Sequence, residues 1–129
     1  MSEPFVYIGT WTIKDDKLEV ARKRMAEIVD FVETNEPRLI AFHVYFDEEG
    51  KTCSVVQVHP DCASMEFHMK IGAEHFATAF EFIEAIKTEQ YYGEISEGLA
   101  AELAKWDDPS IAVTRMPVHE SGFTRSTVR

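Results

Sequence analysis

One stretch, RLIAFHVYFDEEGKTCSVVQVHP at Arg38–Pro60, restricts the fold more than any other part of the chain. Two runs rich in β-branched and aromatic residues flank Asp47-Glu48-Glu49-Gly50, which is the composition of a tight turn between antiparallel strands. A type I turn followed by Gly50 in the left-handed region makes a bulged hairpin loop. In that register Asp47 faces Lys51, and pairing proceeds two residues at a time. One face then sets Phe46, Val44, Phe42 and Ile40 opposite Thr52, Ser54, Val56 and Val58. The other sets Tyr45, His43, Ala41 and Leu39 opposite Cys53, Val55, Gln57 and His59. The first face is apolar enough to meet helices. The second mixes apolar residues with two histidines, a tyrosine and a glutamine, so it is expected to line a cavity or a subunit interface.

Upstream, Phe5–Lys14 reads as a first strand that is apolar on both faces, with Gly9 as a candidate bulge. Asp16-Lys17-Leu18-Glu19 opens a helix, with Asp16 as the cap and Glu19 closing a capping box. Leu18, Ala21, Met25, Ile28, Val29 and Val32 follow at helical spacing, and Asn35 and Pro37 stop the helix. Downstream, Asp61 or Ser64 caps a second helix expected to run from about Ala63 to Lys87. Its main stripe is Met65, Met69, Ala73, Phe76, Phe80 and Ile83. His68, His75, Ala79, Phe82 and Ile86 form a second stripe on its shoulder. Glu89–Ile95 favours no single state. Ser96 caps a short helix carrying Leu99, Leu103 and Trp106, which Asp107-Asp108-Pro109 ends. Ile111–Val118 is expected as a last strand, with Pro117 marking an edge or a bulge.

The order β-α-β-β-α-(α)-β predicts an α+β, ferredoxin-like sandwich with both main helices on one face of the sheet. Residues 1–129 form a single domain, with 118–129 as a C-terminal tail. The opposite face, with Tyr45, Val55 and Leu39, is too apolar for a soluble monomer, and a homodimer packed sheet on sheet would cover it. The formal net charge of −10 argues against nucleic acid or anionic lipid as a partner. No apolar run approaches the ~20 residues of a membrane span. The first residues lack the basic and apolar regions of a signal peptide. Cys53 and Cys62 are not placed to bridge. A cytoplasmic protein with free thiols and no membrane partner is expected.

These elements resemble the dimeric α/β-barrel superfamily and, within it, the antibiotic-biosynthesis-monooxygenase-like group. The resemblance covers roughly residues 5–118. Three segments carry it: the strand-to-helix opening TWTIKDDKLEVARKRM, the hairpin with its polar turn, and ASMEFHMKIGAEHFATAF, where His68 and His75-Phe76 match a His…His-Phe pattern. It implies a dimeric α/β barrel, and members include cofactor-free oxygenases, haem-degrading enzymes and isomerase-like proteins. In the haem-degrading members the iron-ligating histidine falls about one turn after the position matching His75-Phe76. That place is Phe80 here, and phenylalanine cannot ligate iron. No cofactor is therefore expected.

The candidate catalytic residues are His43, His68 and His75, because an imidazole near its ordinary pKa can deprotonate a phenol or quinol at neutral pH. The candidate substrate-binding residues are Trp11, Tyr45, Gln57, His59 and Arg125. Tyrosine and tryptophan stack on rings, and glutamine hydrogen-bonds a carbonyl. His68 and His75 lack the i, i+4 spacing of a helical zinc pair, and no metal is expected. Cys53 reads as a packing residue. Two functions fit. One is a cofactor-independent monooxygenase-like enzyme acting on a quinol or phenolic aromatic. The other is a non-catalytic homodimer that holds a small apolar ligand. Residues 110–129, which include the tail, carry Arg115, Arg125 and Arg129 against one acid, Glu120, and Phe123 is an apolar anchor. It is expected to cross onto the partner subunit and cover part of the barrel mouth, bringing Arg125 towards an anionic group.

Overall fold

Strand β1, Phe5–Ile13, lies at the centre of the sheet, hydrogen-bonded to a neighbour on each side. The structure is a computed structural model and describes residues 3–125. After β1 come α1 (Leu18–Asn35), β2 (Ala41–Phe46), β3 (Thr52–His59), α2 (Cys62–Ile71), α3 (Ala73–Ala79), β4 (Ile83–Tyr92), α4 (Glu97–Ala104) and β5 (Ala112–Met116). The sheet order is β2-β3-β1-β4-β5. The first four strands pair antiparallel, and β5 joins β4 in parallel. This is the expected α+β, ferredoxin-like arrangement, extended by one strand and left open at its edges.

Phe5, Tyr7, Trp11 and Ile13 face the helices and are buried. The apolar stripe of α1 supplies Ala21, Met25, Ile28 and Val32 to the core beneath it. A second cluster, of Phe5, Tyr7, Met65, Tyr91 and Leu99, is closed by α4 at the other end of the sheet. Burying a side chain of this size contributes about 1.5–3 kcal/mol, so the helix face of β1 ties both clusters together. Ser96 caps α4 by accepting from the Leu99 amide, and Asp61 caps α2 by accepting from the Ser64 amide. α1 lacks the expected cap. Asp16 takes a left-handed conformation (φ 65°), Lys17 occupies the cap position, and no side chain bonds the free amides.

The hairpin register differs from the expected one by a single residue. Phe46 pairs with Cys53, Val44 with Val55, His43 with Val56 and Phe42 with Gln57. A tight turn forms at the expected place, with the Gly50 amide donating to the Asp47 carbonyl at 3.1 Å and Gly50 at φ 71°. The Asp47 carboxylate then accepts from the Lys51 and Thr52 amides at 2.8 and 3.0 Å, which holds Lys51 in the loop. That extra loop residue shifts the pairing by one position, so β2 keeps the face expected of it and every side chain of β3 is turned over relative to expectation. Phe42, Val44 and Phe46 therefore face the helices together with Cys53, Val55, Gln57 and His59. His43 and Tyr45 point to the uncovered face, with Tyr45 58% exposed.

The second helix is also shorter than expected. It breaks at Gly72 and ends at Ala79, and Ile83–Lys87 is strand. AFEFIEAIK has helical propensity, but β1 needs a second neighbour, and tertiary pairing decides the outcome. The stretch left undecided, Glu89–Ile95, completes the same strand as far as Tyr92. The irregularities in the β1–β4 ladder fall between Thr10 and Trp11 and between Thr12 and Ile13, not at Gly9.

Candidate functional site

A pocket with a cavity volume of about 110 Å³ opens between the helix face of the sheet and helices α1, α2 and α3. Its walls are apolar and aromatic, with Met25, Phe31, Phe42, Met65, Phe76 and Trp106 among them. Two polar clusters interrupt that lining, one on each side, and His75, Asp107 and Asp108 add further polar groups.

On the side of β2 and β3, His68 projects from α2. Its Nδ1–H donates to both carboxylate oxygens of Glu36, at 2.9 and 2.8 Å. Glu36 is the C-cap residue of α1 and is only 4% exposed, so the end of that helix delivers a buried carboxylate to the histidine. Fixing Nδ1 as the donor leaves Nε2 as the atom able to take a proton. The Phe42 ring lies 5.8 Å away and the His59 ring 5.9 Å. His59 is fully buried. Its Nε2–H donates to Gln57 Oε1 at 2.9 Å, and its Nδ1 accepts from the Ser64 hydroxyl at 2.7 Å. Burial first, and then the neighbouring His68, push its pKa down to about 3. His59 is thus a neutral support behind His68.

On the side of β4, Glu89 accepts from two phenols. Tyr7 donates to Oε2 at 3.0 Å and Tyr91 to Oε1 at 3.1 Å. Burial raises the Glu89 pKa, although the two hydrogen bonds and the nearby Arg115 oppose that rise. Burial, and then the Glu89 charge, raise both tyrosines as well, so the phenols stay protonated. The Arg115 guanidinium lies 5.7 Å from the centre of the Tyr91 ring. The Trp11 indole N–H favours the ionised form of Tyr7, so the two groups are close. Even so, it makes no hydrogen bond of ordinary geometry to Tyr7 or to any other described residue.

Gly9 makes this cluster possible. Glu89 pairs with Gly9 across the ladder, and the Tyr7 ring lies along its own strand over the missing side chain. A Cβ at Gly9 would collide with the Tyr7 hydroxyl and sit 2.8 Å from the ring carbon that bears it. Gly9→Ala is therefore expected to lower stability by about 1–3 kcal/mol in urea unfolding, because a rigid ring must leave its place. Adding Tyr7→Phe should recover part of that loss. An unchanged midpoint for Gly9→Ala would show that the ring moves freely.

Of the residues expected from sequence, His68, His75, Trp11 and Gln57 line this pocket. The His75 ring packs on Phe31 at 4.2 Å. His59 is beside the pocket but buried behind it. His43 and Tyr45 are on the face of the sheet away from the helices, as expected, whereas the register carries Gln57 and His59 to the helix side. Arg125 lies in the exposed tail with its guanidinium 5.0 Å from the Phe123 ring centre, away from the lining. Arg129 falls outside the described residues. Glu36, Tyr7, Glu89, Tyr91 and Arg115 were not anticipated. Glu36 sits in a helix-stop sequence, and Glu89 and Tyr91 lie in the stretch whose state the pattern left open. Once that stretch is read as strand, the i, i+2 spacing puts both on one face. Cys53 is buried and its thiol is pushed up to about 12, in keeping with a packing role. No group of His, Cys, Asp and Glu among the described residues is arranged to hold a metal ion.

No family model matches the sequence, and neither does any curated protein. Solved structures do match. MupZ from Pseudomonas fluorescens superposes with a TM-score of 0.76 at 18% identity, over 99% of each chain. A candidate antibiotic biosynthesis monooxygenase from Bacteroides thetaiotaomicron gives 0.57 at 16% identity, over 66% of this chain and 84% of its own. Another, from Chloroflexus aurantiacus, gives 0.58 at 12% identity, over 69% and 90%. The chain shares its fold with these structures, two of which are candidate antibiotic biosynthesis monooxygenases. Within that fold, of these three structures MupZ matches along the whole length, including the region of α4 and β5. No described helix is long and apolar enough to cross a membrane.

Proposed function

We propose that this chain is a small cofactor-independent monooxygenase-like enzyme acting on a quinol or phenolic aromatic. The observation that carries the reading is the His68–Glu36 pair at an aromatic-lined pocket that its own side chains do not fill. A substrate hydroxyl gives its proton to His68 Nε2, and the Glu36 carboxylate stabilises the imidazolium that forms. The ionised ring is then electron-rich enough to reduce dioxygen itself. Candidate monooxygenases among the solved structures support the same class. A cavity of about 150 Å³ accommodates benzene, so this open pocket of about 110 Å³ has room for no more than one ring, with any further part of the substrate in the mouth. A protein that merely holds a ligand has no need of a base oriented by a buried carboxylate. The test is oxygen uptake with a panel of hydroquinones and phenols; no uptake with any of them would sink the enzyme reading.

The assembly we propose is a cytoplasmic homodimer packed sheet on sheet. Val6, Ile8, Val56 and Val58 form a half-buried apolar centre on the uncovered face, beside the exposed Tyr45. The tail leaves Val118 at 80% and Phe123 at 82% exposed on its own protomer, which suits docking on the partner. Light scattering should give twice 14.8 kDa for the full chain at micromolar concentration. Truncation after Pro117 should shift the dimer towards monomer. A monomeric full chain overturns the first expectation, and an unaltered truncated dimer overturns the second.

A further inference from the structure

Proton abstraction at His68 makes no use of Trp11, Tyr7, Glu89 or Tyr91. Yet these four residues share its pocket. Trp11 is 5% exposed, and its N–H has no acceptor of ordinary geometry among the described residues. Buried donors are rarely left unpaired, and an orphan beside a cavity is an expected contact point for a ligand. Glu89 is the complement. A carboxylate has about four acceptor positions, and the two phenols occupy only two. One spare donor beside spare acceptor positions matches a hydroxyl, which accepts once and donates once. A carbonyl would serve Trp11 alone, and an ether could not donate to Glu89.

The strand order sets the spacing. His68 stands over β2 and β3, next to Phe42 and His59, whereas Glu89 is on β4, two strands from β3. Strands lie about 4.8 Å apart, so the two polar groups face each other across roughly 10 Å. One ring with oxygens at opposite positions, and a hydrogen bond of about 2.8 Å at each end, bridges a gap of that order. We propose that Trp11 and Glu89, with Glu89 held in place by Tyr7 and Tyr91, form a second binding point that takes the distal hydroxyl of a 1,4-dihydroxy aromatic whose other hydroxyl meets His68. This rests on the pocket taking an aromatic hydroxyl at His68, but not on any later oxygen chemistry.

The test is therefore calorimetric titration without oxygen, comparing hydroquinone with 4-methoxyphenol, which cannot donate from its distal oxygen. Hydroquinone should bind about tenfold more tightly, the effect of one hydrogen bond. Glu89→Gln should bring that ratio to within about twofold while leaving the affinity for 4-methoxyphenol unchanged, whereas Trp11→Phe should weaken both probes alike, because the ether oxygen also accepts from the indole N–H. Equal binding of the two probes by the native protein overturns the proposal, as does equal weakening of both probes in Glu89→Gln, unchanged binding of both in Trp11→Phe, or no binding of either. Because a variant can fail to fold, the native protein supplies a second readout. The Trp11 indole proton resonance should move downfield when hydroquinone binds, and an unmoved resonance also overturns the proposal. Oxygen uptake that fails in the assay above, with the tenfold ratio retained, removes the oxygenase reading and leaves this one standing.

Discussion

Replacing His68 by glutamine is expected to lower the turnover of a quinol substrate by roughly two to four orders of magnitude, the usual effect of removing a general base. Glutamine is the informative choice. Its amide can still donate to Glu36, so the buried carboxylate keeps a partner. His68→Ala would leave Glu36 uncompensated, and the loss of a buried partner costs about 3–5 kcal/mol on its own. The Michaelis constant should change much less than the rate, because the ring still fills the same aromatic walls. His43→Ala should leave turnover within about twofold, since His43 points to the other face of the sheet. Steady-state oxygen consumption measures all of these. Substantial activity in His68→Gln would move the base elsewhere, and Glu89 would be the next carboxylate to test.

Acid should unfold this protein through His59. In the folded chain its pKa lies near 3, against 6.5 for an ordinary histidine. The groups facing it are Gln57, Ser64, His68, Asp61 and Arg38, and of these only Asp61 opposes the downward shift. Between those two values the unfolded chain binds a proton that the folded chain does not. Stability contributed by the neutral His59 is therefore complete above about pH 6.5 and is lost progressively as the pH falls towards 3. The expected loss is on the order of 4 kcal/mol, a large share of the stability of a domain this size. Urea midpoints measured from pH 7 to pH 4 should fall steeply. In His59→Gln that part of the slope should vanish, because glutamine retains hydrogen bonding without titrating. Parallel slopes in the two proteins would mean that another group carries the acid sensitivity.

The parts legible in the sequence were those fixed by local chemistry. The stripe of α1, the caps Asp61 and Ser96, and the turn at Asp47–Gly50 needed only neighbours a few residues away. The register of β2 and β3 was misread because one carboxylate, that of Asp47, chose between two loops of similar composition. The fate of Ile83–Lys87 depended on an unpaired edge of β1, more than seventy residues earlier, which no local pattern reports. The site followed the same division. His68 and His75 stood out on a helix shoulder, but the partner of His68 is a glutamate at the far end of another helix. The Glu89 cluster arises only when β1 and β4 pair, so it could not be seen before the strand was.

The central position of β1 also determines where this molecule can yield. Tyr7, Gly9 and Trp11 sit on a strand hydrogen-bonded on both sides, to β3 and to β4. Amides in such a strand exchange with solvent only when the whole domain opens. The polar floor of the pocket is thus part of the last structure to be lost. The roof differs, because α2 and α3 are short helices with a break at Gly72, directly above the cavity. Changes to ligand preference can accumulate at the half-buried roof positions Met69, Ala73 and Phe76 at less risk to folding, whereas any change to the floor is charged against the stability of the entire chain.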